Sequence, residues 1–137
     1  MYKKIVFLVS FVTLCVVASS NYLGIKYNLY WIYKWFDIPV HMLGGLWVSL
    51  FYLYLCERYN HIFHNLNFNN LFKNLLLALL VVTISWEIFE LVIGSVHLDD
   101  GFVYWSDTIS DIINGFIGGI LGYLFYNLSK KNFNKTN

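Results

Sequence analysis

Four long apolar stretches at residues 5–23, 38–56, 75–93 and 108–126 constrain this chain more than any other feature. Each approaches the about 20 residues that a helix rising about 1.5 Å per residue needs to cross a hydrocarbon core. Hydrophobic residues make up 58% of the 137 and charged residues 12%. Ordinary globular chains hold roughly 45–50% and about 25%. A chain this short cannot hide such an excess of apolar surface in one aqueous core, so lipid is its natural solvent. The sequence predicts an all-α, polytopic membrane helix bundle of about four transmembrane helices in a single membrane domain spanning residues 1–137. The net charge of +1 lacks the basic face of a nucleic-acid binder. The sequence leaves the oligomeric state open.

The first stretch has two readings. Lys3 and Lys4 followed by an apolar run, with Val17-Ala18-Ser19 before a cut, resemble a signal peptide. The stretch also reaches spanning length, which favours a retained helix. Orientation follows from lysine and arginine. Lys3, Lys4, Arg58, Lys73, Lys130, Lys131 and Lys135 fall on one side, and only Lys26 and Lys34 on the other. Both termini are therefore expected in the cytoplasm. Tyr30, Trp31, Tyr33, Trp35 and Phe36, with Tyr104 and Trp105, form an expected outer aromatic belt.

The last three stretches carry polar stripes at i, i+4, i+7, a spacing that shares one helix face. Asp37, His41 and Gly44 form the first stripe, Thr83, Glu87, Glu90 and Gly94 the second, and Asp107, Asp111, Asn114 and Gly118 the third. With the expected orientation, all three lie in the outer half of the bilayer. Asp99 and Asp100 fall in the outer loop, so Glu57 is the one acid left on the cytoplasmic side.

A carboxylate facing lipid costs at least about 2.5–3.5 kcal/mol near the bilayer centre, so these faces should turn inward. Several carboxylates at close quarters cannot all ionise without a positive partner. No lysine or arginine lies within these three stretches, which leaves His41, a proton, a cationic substrate or a metal ion. Asp, Glu, His and Asn suit Mg²⁺, Mn²⁺ or Ca²⁺, and His with carboxylates also suits Zn²⁺. Asp37, His41, Glu87, Glu90, Asp107 and Asp111 are the candidate ligands of a divalent cation. Glu87 and Asp111 are the candidate catalytic carboxylates, activating water, and Asn114 would position a ligand or bond a carboxylate. Against this stands a structural role, in which the polar groups hold helices together by hydrogen bonds at about 0.6 kcal/mol each.

Other signals point to packing. Gly115, Gly118, Gly119 and Gly122 form overlapping GxxxG pairs, with Gly44 and Gly45 in smaller measure, as close helix contacts require. Cys15 and Cys56 show no CxxC spacing and read as free thiols. His61 and His64 read as an exposed loop, while His97, Asp99 and Asp100 either cap the outer site or are solvated. Two glycosylation sequons, at Asn127 and Asn134, fall on the expected cytoplasmic face. No HExxH, P-loop or GxSxG is present, and Ser85 and Ser110 lie off the polar stripes.

Asp37-Ile38-Pro39-Val40-His41, Trp86-Glu87-Ile88-Phe89-Glu90 and Trp105-Ser106-Asp107-Thr108-Ile109-Ser110-Asp111 together resemble the YjdF-like family of bacterial inner-membrane proteins. That family carries D-x-x-x-H, E-x-x-E and W-D-x-x-x-D-like elements in this order. The resemblance covers roughly residues 35–126. More distantly the chain is similar to the VanZ-like superfamily, with its D-K-x-x-H, E-x-x-Q and D-x-x-x-N-x-x-G. Here Glu90 stands where those proteins favour Gln, Ile38 replaces their Lys, and Asn114 follows Asp111 by three residues instead of four. The chain is also shorter than many YjdF-like proteins. The YjdF-like resemblance implies a multi-pass helical fold in the bacterial cytoplasmic membrane, with the quoted polar residues as its site, and supplies no reaction. VanZ-like members are linked to reduced susceptibility to teicoplanin, a glycopeptide acting at the outer envelope. An envelope lipid or lipid-linked headgroup is accordingly the expected ligand, with proton- or cation-coupled transport and a non-catalytic envelope factor as the alternatives.

Overall fold

A computed structural model describes residues 2–59, 71–93 and 102–135. It is 96% helical with no strand among the described residues. Helix α1 runs Tyr2–Lys26, a short α2 runs Leu29–Ile32, and a 3₁₀ turn over Lys34–Phe36 leads into α3, Asp37–Arg58. Then come α4, Leu71–Ile93, and α5, Phe102–Lys135. Four helices are long and apolar enough to cross a membrane. Helix α5, with 34 residues, is about 51 Å long and outreaches the roughly 30 Å hydrocarbon layer.

Local chemistry sets the ends. Pro39 occupies the first turn of α3, where its missing N–H would have had no partner within the helix. Arg58 closes α3 and Lys26 closes α1, each favourable at a helix C-terminus. Asn28 takes a left-handed φ of 54°, which lets the chain turn from α1 into α2. The turn folds back on α1, where the Tyr30 hydroxyl donates to Asn21 Oδ1 at 2.7 Å and Tyr30 meets Phe36 edge-on at 5.2 Å. Of the expected outer belt, Trp31, Tyr33, Trp35 and Trp105 are exposed, whereas Tyr30 and Phe36 turn inward against Gly24.

The α3–α5 interface is the most extensive, with α1 against α3 and α4 against both α3 and α5. Contacts fix the directions. Lys3 pairs with Glu57 and Phe7 packs on Tyr54, so α1 and α3 are antiparallel. Phe72 packs on Tyr123 while Gly115 lies against Thr83, so α4 and α5 are antiparallel. In contrast α3 and α5 are parallel, because His41 meets Asp111 at one end and Glu57 meets Lys130 at the other. The rings of Tyr2 and Phe133, 5.6 Å apart, bring the two ends of the chain to one face of the bundle. That face carries the basic excess that the positive-inside rule assigns to the cytoplasm.

Glycines set the spacing of α3 and α5. A Cβ built on Gly45 would overlap the Gly115 carbonyl, and one on Gly118 would overlap the Met42 carbonyl. These backbones touch directly, as small residues allow in membrane bundles. Gly44, by contrast, faces open space. The continuation of the α3 stripe into the packed interface thus runs through Gly45, one position on from the i+7 expectation, because the α3–α5 contact line is rotated relative to the stripe. Below the glycines, Val6, Leu50, Leu53, Leu75, Leu79 and Tyr126 form the buried core. Outward, Leu8, Leu77 and Val92 are at least three-fifths exposed, as a lipid-facing surface requires.

Candidate functional site

The parallel register of α3 and α5 builds the first half of the site. His41 lies four residues before Gly45, and Asp111 four before Gly115, so the backbone contact of the two glycines brings those side chains to one level. His41 Nε2 lies 3.2 Å from Asp37 Oδ1 and 4.0 Å from Asp111 Oδ2. Asp37 and His41 share a face at i, i+4 spacing, and Asp37 sits in the first turn of α3, where the helix dipole favours an anion.

Helix α4 supplies the second half. Glu87 is buried, and Glu90 is half-buried three residues further on. Glu90 Oε1 accepts a hydrogen bond from Trp86 Nε1 at 2.9 Å, which holds the carboxylate at the edge of the cluster. His41 is common to two groups, Asp37–His41–Asp111 and His41–Glu87–Glu90. In each, one ligand atom per residue lies within 4.8 Å of the others. That span matches opposite ligands around one ion with bonds of about 2.4 Å.

The electrostatics are severe. Glu87 is 7% exposed and Asp111 4%, and among the described residues the ion pairs of this cluster run to His41 alone. Buried like charges this close repel, and each has lost its hydration. One imidazolium neutralises at most one of them.

The remaining stripe residues separate by place. Asp107 is exposed at the rim and belongs to neither compact group. Asn114 is half-buried and donates from Nδ2 to Ser110 Oγ at 3.2 Å. Ser110 therefore works with the stripe at i, i+4, although its position alone suggested otherwise. Thr83 donates its hydroxyl to the Leu79 and Leu80 carbonyls, bonds within its own helix. Gly94, His61, His64, His97, Asp99 and Asp100 lie outside the described residues, as does the Asn134 sequon's closing Thr136.

Sequence periodicity missed a second polar cluster at the opposite end. Glu57 Oε1 accepts from Lys130 Nζ at 2.6 Å and from the Tyr126 hydroxyl, and Lys3 Nζ lies 3.4 Å from Oε2. Lys3 also donates to the Glu57 carbonyl at 3.1 Å. Three helices are tied together here. The i, i+4 pair of Tyr126 and Lys130 was its one visible signal. Glu57 lies 16 residues beyond His41, a rise of about 24 Å. Cys56 beside it is buried and Cys15 exposed, both free.

A family model described as "Predicted membrane protein (DUF2238)" matches residues 2–132. No curated protein and no solved structure matches the chain.

Proposed function

The chain belongs to the DUF2238 family of predicted membrane proteins, the same family as the YjdF-like one, and from that premise we propose that its His–carboxylate cluster is a divalent-cation site. Through the ion it binds, or processes, an envelope lipid or lipid-linked headgroup at the outer leaflet. The observation that carries this reading is His41 shared between two carboxylate groups, each compact to within 4.8 Å. Asp37, His41 and Asp111 would hold the ion, with His41, Glu87 and Glu90 as a second donor set that shares the imidazole. Their oxygen and nitrogen donors are those that Mg²⁺, Mn²⁺, Ca²⁺ and Zn²⁺ accept. A divalent ion removes the repulsion that His41 alone leaves in place. Asp107 at the rim meets the incoming ligand, and Asn114 with Ser110 supplies the polar floor.

An ion held there would supply a positive centre for the phosphate or carboxylate of a headgroup. Glu87 or Asp111, whichever stands outside the set that holds the ion, would accept the proton of a water attacking the headgroup. His41 lies in the second turn of α3 and Glu90 in the last turn of α4, at the end of the bundle away from the basic face, which is the end that an outer-leaflet headgroup would meet. Transport is the weaker alternative. Leu50, Leu53, Leu75 and Leu79 are fully buried and fill the bundle between this cluster and Glu57, so a one-sided site is favoured over a relay.

Elemental mass spectrometry on the detergent-purified chain tests the proposal, beside a Glu87→Gln/Asp111→Asn double variant matched in thermal stability. A stoichiometric metal lost in the variant supports the cation site. No metal after supplementation with Mg²⁺, Mn²⁺, Ca²⁺ and Zn²⁺ overturns it and leaves a VanZ-like, non-catalytic envelope factor with a structural polar cluster. A proton or cation flux in liposomes would instead favour transport.

A further inference from the structure

The groove between α1 and α3, at the end of the bundle remote from the His41 cluster, has a two-part chemistry. Lys3, Lys4 and Arg58 form its rim, and Phe7, Leu8 and Tyr54 its wall. The parts are matched residue by residue. Lys3 and Phe7, Lys4 and Leu8, and Tyr54 and Arg58 are each four apart, so each basic residue stands one turn from an apolar one on the same face. The helices are antiparallel, yet all three basic residues fall at the same end. One turn is about 5.4 Å, close to the step from a phospholipid phosphate to the start of its acyl chains.

The wall faces lipid. Phe7 is 45% exposed and Leu8 61%, and Phe7 packs on Tyr54 with ring centroids 5.0 Å apart, so the groove floor is continuous across both helices. Glu57 also lines the groove, but its carboxylate is taken up by Lys130, Tyr126 and Lys3. Positive charge therefore remains in excess at the rim, where Arg58 lies over the Tyr59 ring and both lysines are exposed. A soluble phosphate would use the rim alone and make no contact with the lipid-facing Phe7 and Leu8. A lipid uses both.

We propose that this groove binds one anionic phospholipid, its phosphate held by Lys3, Lys4 and Arg58 and its acyl chains lying along Phe7, Leu8 and Tyr54. The lipid would bridge α1 to α3 on the basic face of the bundle, where anionic headgroups meet basic residues near the bilayer surface. The inference does not depend on the outer cation site.

Native mass spectrometry of the full chain in detergent tests it, with phosphatidylglycerol and phosphatidylcholine of identical acyl chains as probes. One phosphatidylglycerol should bind in clear preference. Lys4→Gln/Arg58→Gln should lower that preference roughly ten- to thirtyfold, while the charge-preserving Lys4→Arg/Arg58→Lys and the off-groove Lys73→Gln/Lys131→Gln should retain it. Equal binding of the two lipids by the unaltered chain, which needs no variant to fold, overturns the proposal. So does an equal loss in the off-groove variant, which would mean diffuse surface attraction. Full displacement by water-soluble glycerophosphoglycerol at concentrations matching the lipid would also overturn it, by making the rim a free-phosphate site.

Discussion

Replacing Gly45 by alanine, with Gly44→Ala as its neighbour control, tests the α3–α5 contact on which the site geometry depends. A Cβ on Gly45 would run into the Gly115 carbonyl, which is backbone and cannot rotate aside, whereas a Cβ on Gly44 meets nothing within 4 Å. Overpacking typically costs 1–3 kcal/mol, and a backbone clash belongs at about the upper end. Both substitutions gain up to about 1 kcal/mol of helix propensity. Gly45→Ala should therefore lose about 2 kcal/mol and Gly44→Ala should be neutral or gain up to about 1, a difference near 3 kcal/mol between adjacent residues. Unfolding in mixed detergent micelles, followed by circular dichroism, reads this directly. Gly45→Ala should also weaken the proposed cation site, since separating the helices draws Asp111 away from His41. Equal stabilities for the two alanine variants would refute the backbone contact and the register built on it.

Two further predictions concern the interior. The Ser49 hydroxyl is fully buried with no hydrogen-bond partner among the described residues, and an unmade hydrogen bond of this kind costs about 1–3 kcal/mol; Ser49→Ala should hold or raise the unfolding free energy, and a clear loss would show that the hydroxyl is bonded. Tyr126→Phe should cost about 1.5–3 kcal/mol, because it deletes a buried bond to a charged group, whereas Lys3→Gln, whose lysine side chain is 47% exposed, should cost under about 1 kcal/mol. Equal losses in chemical unfolding would mean that Tyr126 is not what secures Glu57.

Much of this protein is legible in one dimension. The apolar lengths of its helices, the i, i+4 face of Asp37 and His41, and the GxxxG run from Gly115 are all properties of single helices, and a helix's period is fixed by its own backbone. Hydropathy therefore finds the spans, and the cost of exposing carboxylates to lipid says which way Glu87 and Asp111 must face. The extent of α5 was less visible, since its last turns are polar and hydropathy does not register them.

What one helix cannot say is which partner it meets and at what level. The choice of Gly45 over Gly44 as the contact, the levelling of His41 with Asp111, and the union of Glu57 with Tyr126, Lys130 and Lys3 depend on the separation and crossing of different helices. Those quantities are set by which small residues let two backbones touch, a decision made jointly by α3 and α5. Sequence alone thus determined a membrane bundle with inward polar faces. Only tertiary packing decided that the faces converge on His41, and that a layer of leucines divides them from the basic end.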